Sequence, residues 1–542
     1  MSRQRSEAID RRELLKLGAQ AVAAGCAGSA LLSPGALASV GDAPGHKRHD
    51  GRRHPSNGWP TARLPASAAE TIDEQQFFSI ERLAAYGEEI NKLGLRNTGG
   101  ANNEAYLRTM ARRLQQAGVQ DVHLEPAAMT RWEASAYSLT IEGKRYRNVF
   151  YVPYSAPTGR SGLTAEMVYV PPGNAVQSFG EGTDVKGKIA VFEIDYGSIA
   201  YAEFLALSYP GGFYNPGNQI PITGEYVHPY LGIGGIESGI PTLIQNGAVG
   251  VIGIWPDLPG QWAKQYVPYD YLFYSIPGLW LDMHDGTEVL QLAGNGATAT
   301  IVLEAKYKNV NTHNVIGYIP GRSSELTMLH THTDGTNGIE ENGPIPVLAA
   351  AQYIARLPRS SLERTVMVML SSGHFAGGVG VRAFLKAHAD NIVPRITAGL
   401  TLEHVGSLEF LPNSSGQIVA SGQREPAAWF GPDSQGLVNA MLAAEKRDGI
   451  PGSVIRPFSQ APTTHGPVTH KLGWPGEGTY FWWYGPVVDG NQIAGPYGLL
   501  AADLDVTGMI DYGLMQRGAM SAVLATLQLT ATSAGELSAL PE

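Results

Sequence analysis

Apolar positions set the first two elements. Ser79 precedes IERLAAYGEEINKLG, and the pattern predicts a helix that ends at Gly94. From Asn103, the residues Leu107, Met110, Ala111 and Leu114 follow the i, i+3, i+4, i+7 rule, and Gly118 closes a second helix. A strand, VHLEP, comes next, and then a hairpin-like stretch, YSLTIEGKRYRNVFYV. Near residue 160 the pattern changes to short apolar runs punctuated by Gly and Pro: LTAEMVYV, GKIAVFEI, AVGVIGIW and TIVLEAKY, ending at about 304. From Asn314 strand and helix alternate: NVIGYIPG, LTMLHTH, a helix at 345–357, TVMVMLSS, a helix at 381–389, and AGLTLEHVG. That alternation predicts an α/β sheet with covering helices. A last apolar helix, about 505–531, is expected to pack on it.

Composition narrows the picture. At 542 residues the chain has room for more than one domain, and its 43% hydrophobic content supports a sizeable core. The net charge of −10 offers no basic footprint for nucleic acid. One cysteine excludes an intrachain disulfide framework and a cysteine zinc cluster, so any metal must sit on His, Asp and Glu. No apolar run of transmembrane length occurs. Residues 1–38 read as an export signal: Arg11-Arg12 before ELLKLG, a small-residue apolar run, then Ala36-Leu37-Ala38 as a cleavage site. The paired arginines resemble a twin-arginine signal, and Cys26 after Ala-Ala-Gly is the weaker, lipoprotein alternative. Residues 39–75 show no periodicity and read as a disordered linker.

Several catalytic signatures are missing. There is no G-x-S-x-G, no H-E-x-x-H and no P-loop. Gly378-Val-Gly380-Val-Arg-Ala383 has only a superficial likeness to a dinucleotide loop. The richest cluster is His330-Thr-His332-Thr-Asp334, just past the strand LTML. In open α/β sheets ligands bind beyond the carboxyl ends of strands. Asp334, two residues from His332, is placed to orient that imidazole, as a metal ligand requires. Glu340, Glu341 and Asn342 precede the next helix, His374 follows the next strand, and Glu403-His404 follow the one after. Three successive strand ends thus present His or Glu, which is how such a fold assembles a metal or acid–base site.

The order of these motifs resembles the co-catalytic zinc aminopeptidases and glutamate carboxypeptidases, metallopeptidase family twenty-eight. The stretches Asp184-Val-Lys-Gly-Lys188, Asn246-Gly-Ala248 and Ile276-Pro277 resemble an inserted protease-associated domain, and Asn314-Val-Ile-Gly-Tyr-Ile-Pro-Gly321 resembles the junction after it. The resemblance implies a mixed sheet covered by helices on both faces, built from 76–158 and 305–542, with a β-rich protease-associated domain at 159–304. It implies hydrolysis of an amide bond in a peptide or amino-acid conjugate.

Carried over residue by residue, the family's H-x-D falls on His332-Thr-Asp334, its bridging Asp on Glu341, its paired Glu on His374-Phe375, and its later Asp on Glu403. The late Tyr-His has no clear counterpart. One metal site thus keeps His332, Glu341 and Glu403, and the other loses its ligands. The implied cofactor is one zinc per chain, with His374 in place of the general base and Asp334 orienting His332. His465, His404 and Asn342 are candidates for a substrate contact or a substitute ligand. Losing a base and a ligand together equally suits a non-catalytic binding protein on the same fold, and metal-free acid–base catalysis by His374 with Glu403 stays open. Tyr480-Phe-Trp-Trp-Tyr484 reads as a core strand, with a substrate pocket as the alternative. The aromatic insert at 209–232 is long enough to cover a cleft.

Overall fold

The computed structural model describes residues 72–171, 182–455, 459–460 and 472–540. The expected export signal and Cys26 lie outside the described residues, as do His465 and most of the 39–75 linker. Within them, one mixed sheet runs through the molecule. Its order is Val149–Tyr151, Gly278–Leu281, Gly250–Ile254, Ile189–Glu193, Gly159–Tyr169, Thr298–Ile319, Arg364–Ser371, Ser323–His332, Ile396–Leu402, Asp489–Ala494, Ala427–Phe430, Gly452–Ile455 and Ser208–Tyr214. The strands at Arg364–Ser371, Ser323–His332, Ile396–Leu402 and Asp489–Ala494 are mutually parallel. Their carboxyl ends therefore open on one edge.

Both faces of this part are apolar, as buried parallel strands require. Val366, Val368 and Leu370 point into one core, beneath helices Ile80–Leu93, Pro344–Arg356 and Tyr512–Ala531. Met367 and Met369 point into another, beneath helices Val379–Ala387 and Gly478–Tyr484. The expected α/β sheet with helices on both faces is what the chain builds. Among the described residues no helix is long and apolar enough to cross a membrane.

Element ends follow local chemistry. The Ser79 hydroxyl accepts from the Arg82 N–H and starts the first helix at Ile80, as the pattern predicts. The helix expected at about 505–531 begins at Tyr512, because the Asp511 carboxylate accepts from the Leu514 N–H and caps it there, and a short helix, Ala534–Ser538, follows it. The hairpin expected at 137–152 forms at its near end, where Leu139–Ile141 pairs antiparallel with Lys144–Tyr146 across Glu142-Gly143. YSLTI is the end of one 22-residue strand, Gln120–Ile141, that also contains VHLEP. It pairs antiparallel with a second 22-residue strand, Thr298–Ile319, which joins TIVLEAKY to NVIGYIPG. Midway, the two strands pack mainly on each other, so their half-buried faces break the apolar pattern.

These long strands carry the sheet from one part of the molecule to the other. The boundary expected at 158/159 falls at the start of Gly159–Tyr169, and that at 304/305 falls inside Thr298–Ile319. Conversely, Ser208–Tyr214 leaves the 159–304 segment to pair with Gly452–Ile455.

A buried acid in this framework gives a stability prediction. Glu445 is 2% exposed, and burial pushes its carboxyl up to about 8, against the opposing charge of Arg424. A carboxyl raised in the folded state favours folding below its unfolded value, and that contribution fades as pH climbs through the folded value. Melting temperature is therefore expected to fall between pH 5 and 9, and Glu445→Gln to flatten that fall. Equal slopes in the two proteins would refute it.

Candidate active site

The carboxyl ends of the parallel strands hold the candidate residues. His332 ends Ser323–His332, His374 lies just past Arg364–Ser371, and Glu403-His404 follow Ile396–Leu402. His332, Glu341, Glu403 and His404 are all buried, and each offers an atom within 4.8 Å of the others'. Each is fixed from behind. His332 Nδ1 lies 2.9 Å from the Asp334 carbonyl and donates to it. Glu341 Oε1 accepts from Thr331 Oγ1 and from the Gly343 N–H, both at 2.8 Å. Glu403 Oε1 accepts from the Glu477 N–H at 2.8 Å. His404 Nδ1 donates to the Ala494 carbonyl at 2.6 Å.

The opposite atoms converge on one another. His332 Nε2, Glu341 Oε2, Glu403 Oε2 and His404 Nε2 are buried and make no hydrogen bond. His332 Nε2 stands 2.5 Å from Glu341 Oε2 and 3.5 Å from Glu403 Oε2. Orphaned buried polar atoms are costly, so a converging set needs a shared partner. Two imidazoles and two carboxylates, each oriented by a second bond, suit a zinc-like cation. His404 sits at φ 56, a left-handed conformation uncommon outside glycine and one that clusters at functional sites. A second trio, His332, Glu340 and His374, also meets within 4.8 Å.

The electrostatics are dominated by burial. It opposes the His332 charge, yet Glu341 and the neighbouring carboxylates hold that imidazole well above its ordinary value. Burial raises Glu341 to about 7, against His332. Glu403 resists burial and is held low, first by His332 and then by His374 and His404. Burial lowers His404 to about 4.

Two of the candidate residues make contacts that the sequence did not suggest. Asp334 orients His332 through its backbone carbonyl, while its nearest carboxylate oxygen is 3.7 Å from Nδ1. The carboxylate instead accepts from Thr98 Oγ1 at 2.6 Å and from the N–H groups of Gly373, His374 and Phe375 at 2.9, 3.3 and 3.0 Å. It anchors the turn that carries His374. Asn342 brackets Val405 with both amide atoms, donating to its carbonyl at 3.0 Å and accepting from its N–H at 2.8 Å. It joins two loops.

His374 stacks on His332, with ring centroids 4.3 Å apart. Its Nδ1 lies 3.0 Å from Glu477 Oε2. Glu477 was missed in the sequence: nothing local in LGWPGEG links it to His374, 103 positions earlier. Gly476 permits the contact. Its φ is +101, and a Cβ there would lie 2.8 Å from Glu403 Oε1. Phe375, which stands where the resembled family has a carboxylate, is buried against Tyr266 and Tyr269.

A cavity of about 130 Å³ opens from His374, Glu340, Glu403 and His404. Its wall is otherwise apolar and aromatic and includes Tyr226, Tyr230 and Leu231 from the 209–232 insert, with Tyr269 beside His374. The expected cover over the cleft is thus a wall of this cavity. The aromatic run Tyr480–Tyr484 is a correction: it lies in a helix, Gly478–Tyr484, with Phe481 packed edge-on to His330. Packing behind the strand ends overrides its strand propensity.

No family model matches the chain. Its sequence is 23% identical over 330 residues to carboxypeptidase Q of Homo sapiens, covering 58% of this chain and 62% of that protein. Carboxypeptidase Q of Mus musculus matches at 24% over 331 residues, with the same coverage. The aligned part is thus less than two thirds of those relatives' length. The fold matches BSAP, a zinc aminopeptidase from Bacillus subtilis, with a TM-score of 0.58 and 15% identity over 85% of this chain and 98% of that one. A family twenty-eight peptidase precursor from Shewanella amazonensis matches with a TM-score of 0.58 and 16% identity, covering 88% and 99%. The fold is thus similar to that of the zinc aminopeptidases and the sequence to carboxypeptidase Q, in keeping with the resemblance carried by the motifs.

Proposed function

We propose that this chain is an exported metallohydrolase that cleaves an amide bond in a peptide or amino-acid conjugate, with one zinc per chain. The observation that carries the reading is the convergence of four buried, individually anchored donor atoms from His332, Glu341, Glu403 and His404, none of them hydrogen-bonded. These residues would hold the ion. When bound, zinc polarises a carbonyl and makes water more acidic. The relatives named as peptidases support the reaction class.

The chain's own residues supply the rest. His374, with Nδ1–H on Glu477, leaves Nε2 to take a proton from the attacking water and return it to the departing amine. Glu403 and Glu341 are kept in register by backbone N–H groups, so they need not reorganise. The cavity excludes water from the scissile bond and takes an uncharged apolar part of the substrate. The inserted segment 159–304 serves, on this reading, as the protease-associated unit that supplies part of that wall, and residues 1–38 direct export.

The test is the metal content of the purified protein after dialysis against metal-free buffer, with turnover of apolar aminoacyl amides. About one zinc per chain is expected in the wild type and none in Glu403→Ala, with turnover lost alongside. About two per chain would overturn the single-site count and bring the trio of His332, Glu340 and His374 into play. None, even after zinc addition, would leave the non-catalytic binding protein.

A further inference from the structure

We propose that Glu477 is a positioning residue which fixes the tautomer of His374 and the rotamer of Glu403 at once. The proposal rests on the hydrolase reading of the site. Glu477 is fully buried and uses two different groups for the two tasks. Its backbone N–H donates to Glu403 Oε1 at 2.8 Å, and its Oε2 faces His374 Nδ1 at 3.0 Å. Its Oε1 accepts from Ser371 Oγ at 2.9 Å, so the carboxylate is held from its far side.

That support extends into the sheet. Ser371 Oγ is also 3.0 Å from His330 Nε2, and His330 Nδ1 is 2.9 Å from Thr401 Oγ1. Thr401 Oγ1 is in turn 2.7 Å from Asp489 Oδ2. Four parallel strands therefore contribute to a buried polar network that ends on the Glu477 carboxylate. Linked in this way, the groups hold one another in place, although Asp489 Oδ1 at the far end has no hydrogen-bond partner.

The consequence is chemical. With a carboxylate on Nδ1, the proton of neutral His374 resides on Nδ1, and Nε2 keeps its lone pair. That atom can accept a proton from water as the water oxygen bonds to the carbonyl carbon. The same proton goes to the amine nitrogen as the C–N bond breaks. Without Glu477 the proton distributes over both ring nitrogens, and the ring loses its fixed orientation. The Glu403 contact is unaffected, because any residue at 477 other than proline retains an N–H.

The test uses the full-length zinc-loaded protein, labelled with ¹⁵N-histidine, and compares wild type with Glu477→Ala and Glu477→Asp. The His374 signals are assigned by their loss in His374→Ala. Wild type is expected to show the Nδ1–H tautomer, Glu477→Ala a mixture, and Glu477→Asp an intermediate. Zinc content stays at the wild-type level in both. Turnover falls about 10²–10⁴-fold in Glu477→Ala with KM changed less than threefold, the size of effect an orienting carboxylate has elsewhere. An unchanged tautomer in Glu477→Ala overturns the proposal, whether or not the protein hydrolyses amides. Should that variant fail to fold, Glu477→Asp with wild-type tautomer and turnover overturns it. Absence of hydrolysis in wild type, with the tautomer shift present, counts against the hydrolase reading and leaves the positioning role standing.

Discussion

Asp334→Asn will destabilise the protein by about 3 kcal/mol and slow turnover, yet leave zinc bound. The carboxylate is fully buried, and burial opposes its charge. Even so, His332, Thr98 and the Gly373 N–H hold it far below the usual carboxylate range. One oxygen accepts from Gly373 and His374, the other from Thr98 and Phe375. An asparagine must turn its NH2 towards one of these pairs. The Thr98 hydroxyl can rotate to accept, but a backbone N–H cannot, so at least one is left unpaired in either orientation. Each such group costs about 1–3 kcal/mol, and the charge assistance on the others is lost as well. The turn carrying His374 then loosens. His332 stays oriented, because its partner is the Asp334 carbonyl, which the substitution retains. Thermal melts, zinc content and kcat on one preparation check this. Zinc lost in step with stability would show that the carboxylate, and not the carbonyl, governs His332.

That distinction marks how far the sequence could be read. The spacing of His332, Asp334, Glu341, His374, Glu403 and His404 along strand ends was legible, because an α/β sheet brings consecutive strand ends to one edge whatever the details of packing. Helix starts at Ser79 and in Pro344–Arg356 were legible from capping and periodicity. What spacing could not show was which atom of a residue is used. An aspartate two residues from a histidine offers a carboxylate and a carbonyl, and the sharp turn after the strand selects the carbonyl. Glu477 was hidden for a different reason: its partners are 74 and 103 residues earlier, and its loop reaches them only through the positive φ of Gly476. The Tyr480–Tyr484 run was misread because aromatic propensity favours a strand, whereas the space behind His330 takes a short helix.

Arg96 is the residue on which the whole loop before Glu341 depends, and Arg96→Met is expected to cost about 3–5 kcal/mol and abolish zinc binding. Its side chain is fully buried. The guanidinium donates to the carbonyls of Thr333 at 3.2 Å, Gly94 at 3.1 Å, Asn337 at 3.0 Å and Glu341 at 3.4 Å. Its backbone N–H donates to the Gly335 carbonyl at 2.7 Å. A methionine fills the volume but pairs none of those side-chain acceptors, so several loop carbonyls lose partners in a space closed to water. The positive charge also goes from beside Asp334, Glu340 and Glu341, each of which burial already penalises. With the loop from 333 to 341 released, Glu341 Oε2 no longer meets His332 Nε2, and the donor set opens. Arg96→Lys separates the two contributions, since it returns the charge with a single point of donation. It is expected to recover part of the stability and little of the zinc, because one ammonium cannot hold four carbonyls at once. A melting curve and zinc content indistinguishable from wild type in Arg96→Met would mean that the Arg96–Gly335 backbone bridge and the Asn337 side chain hold this loop by themselves.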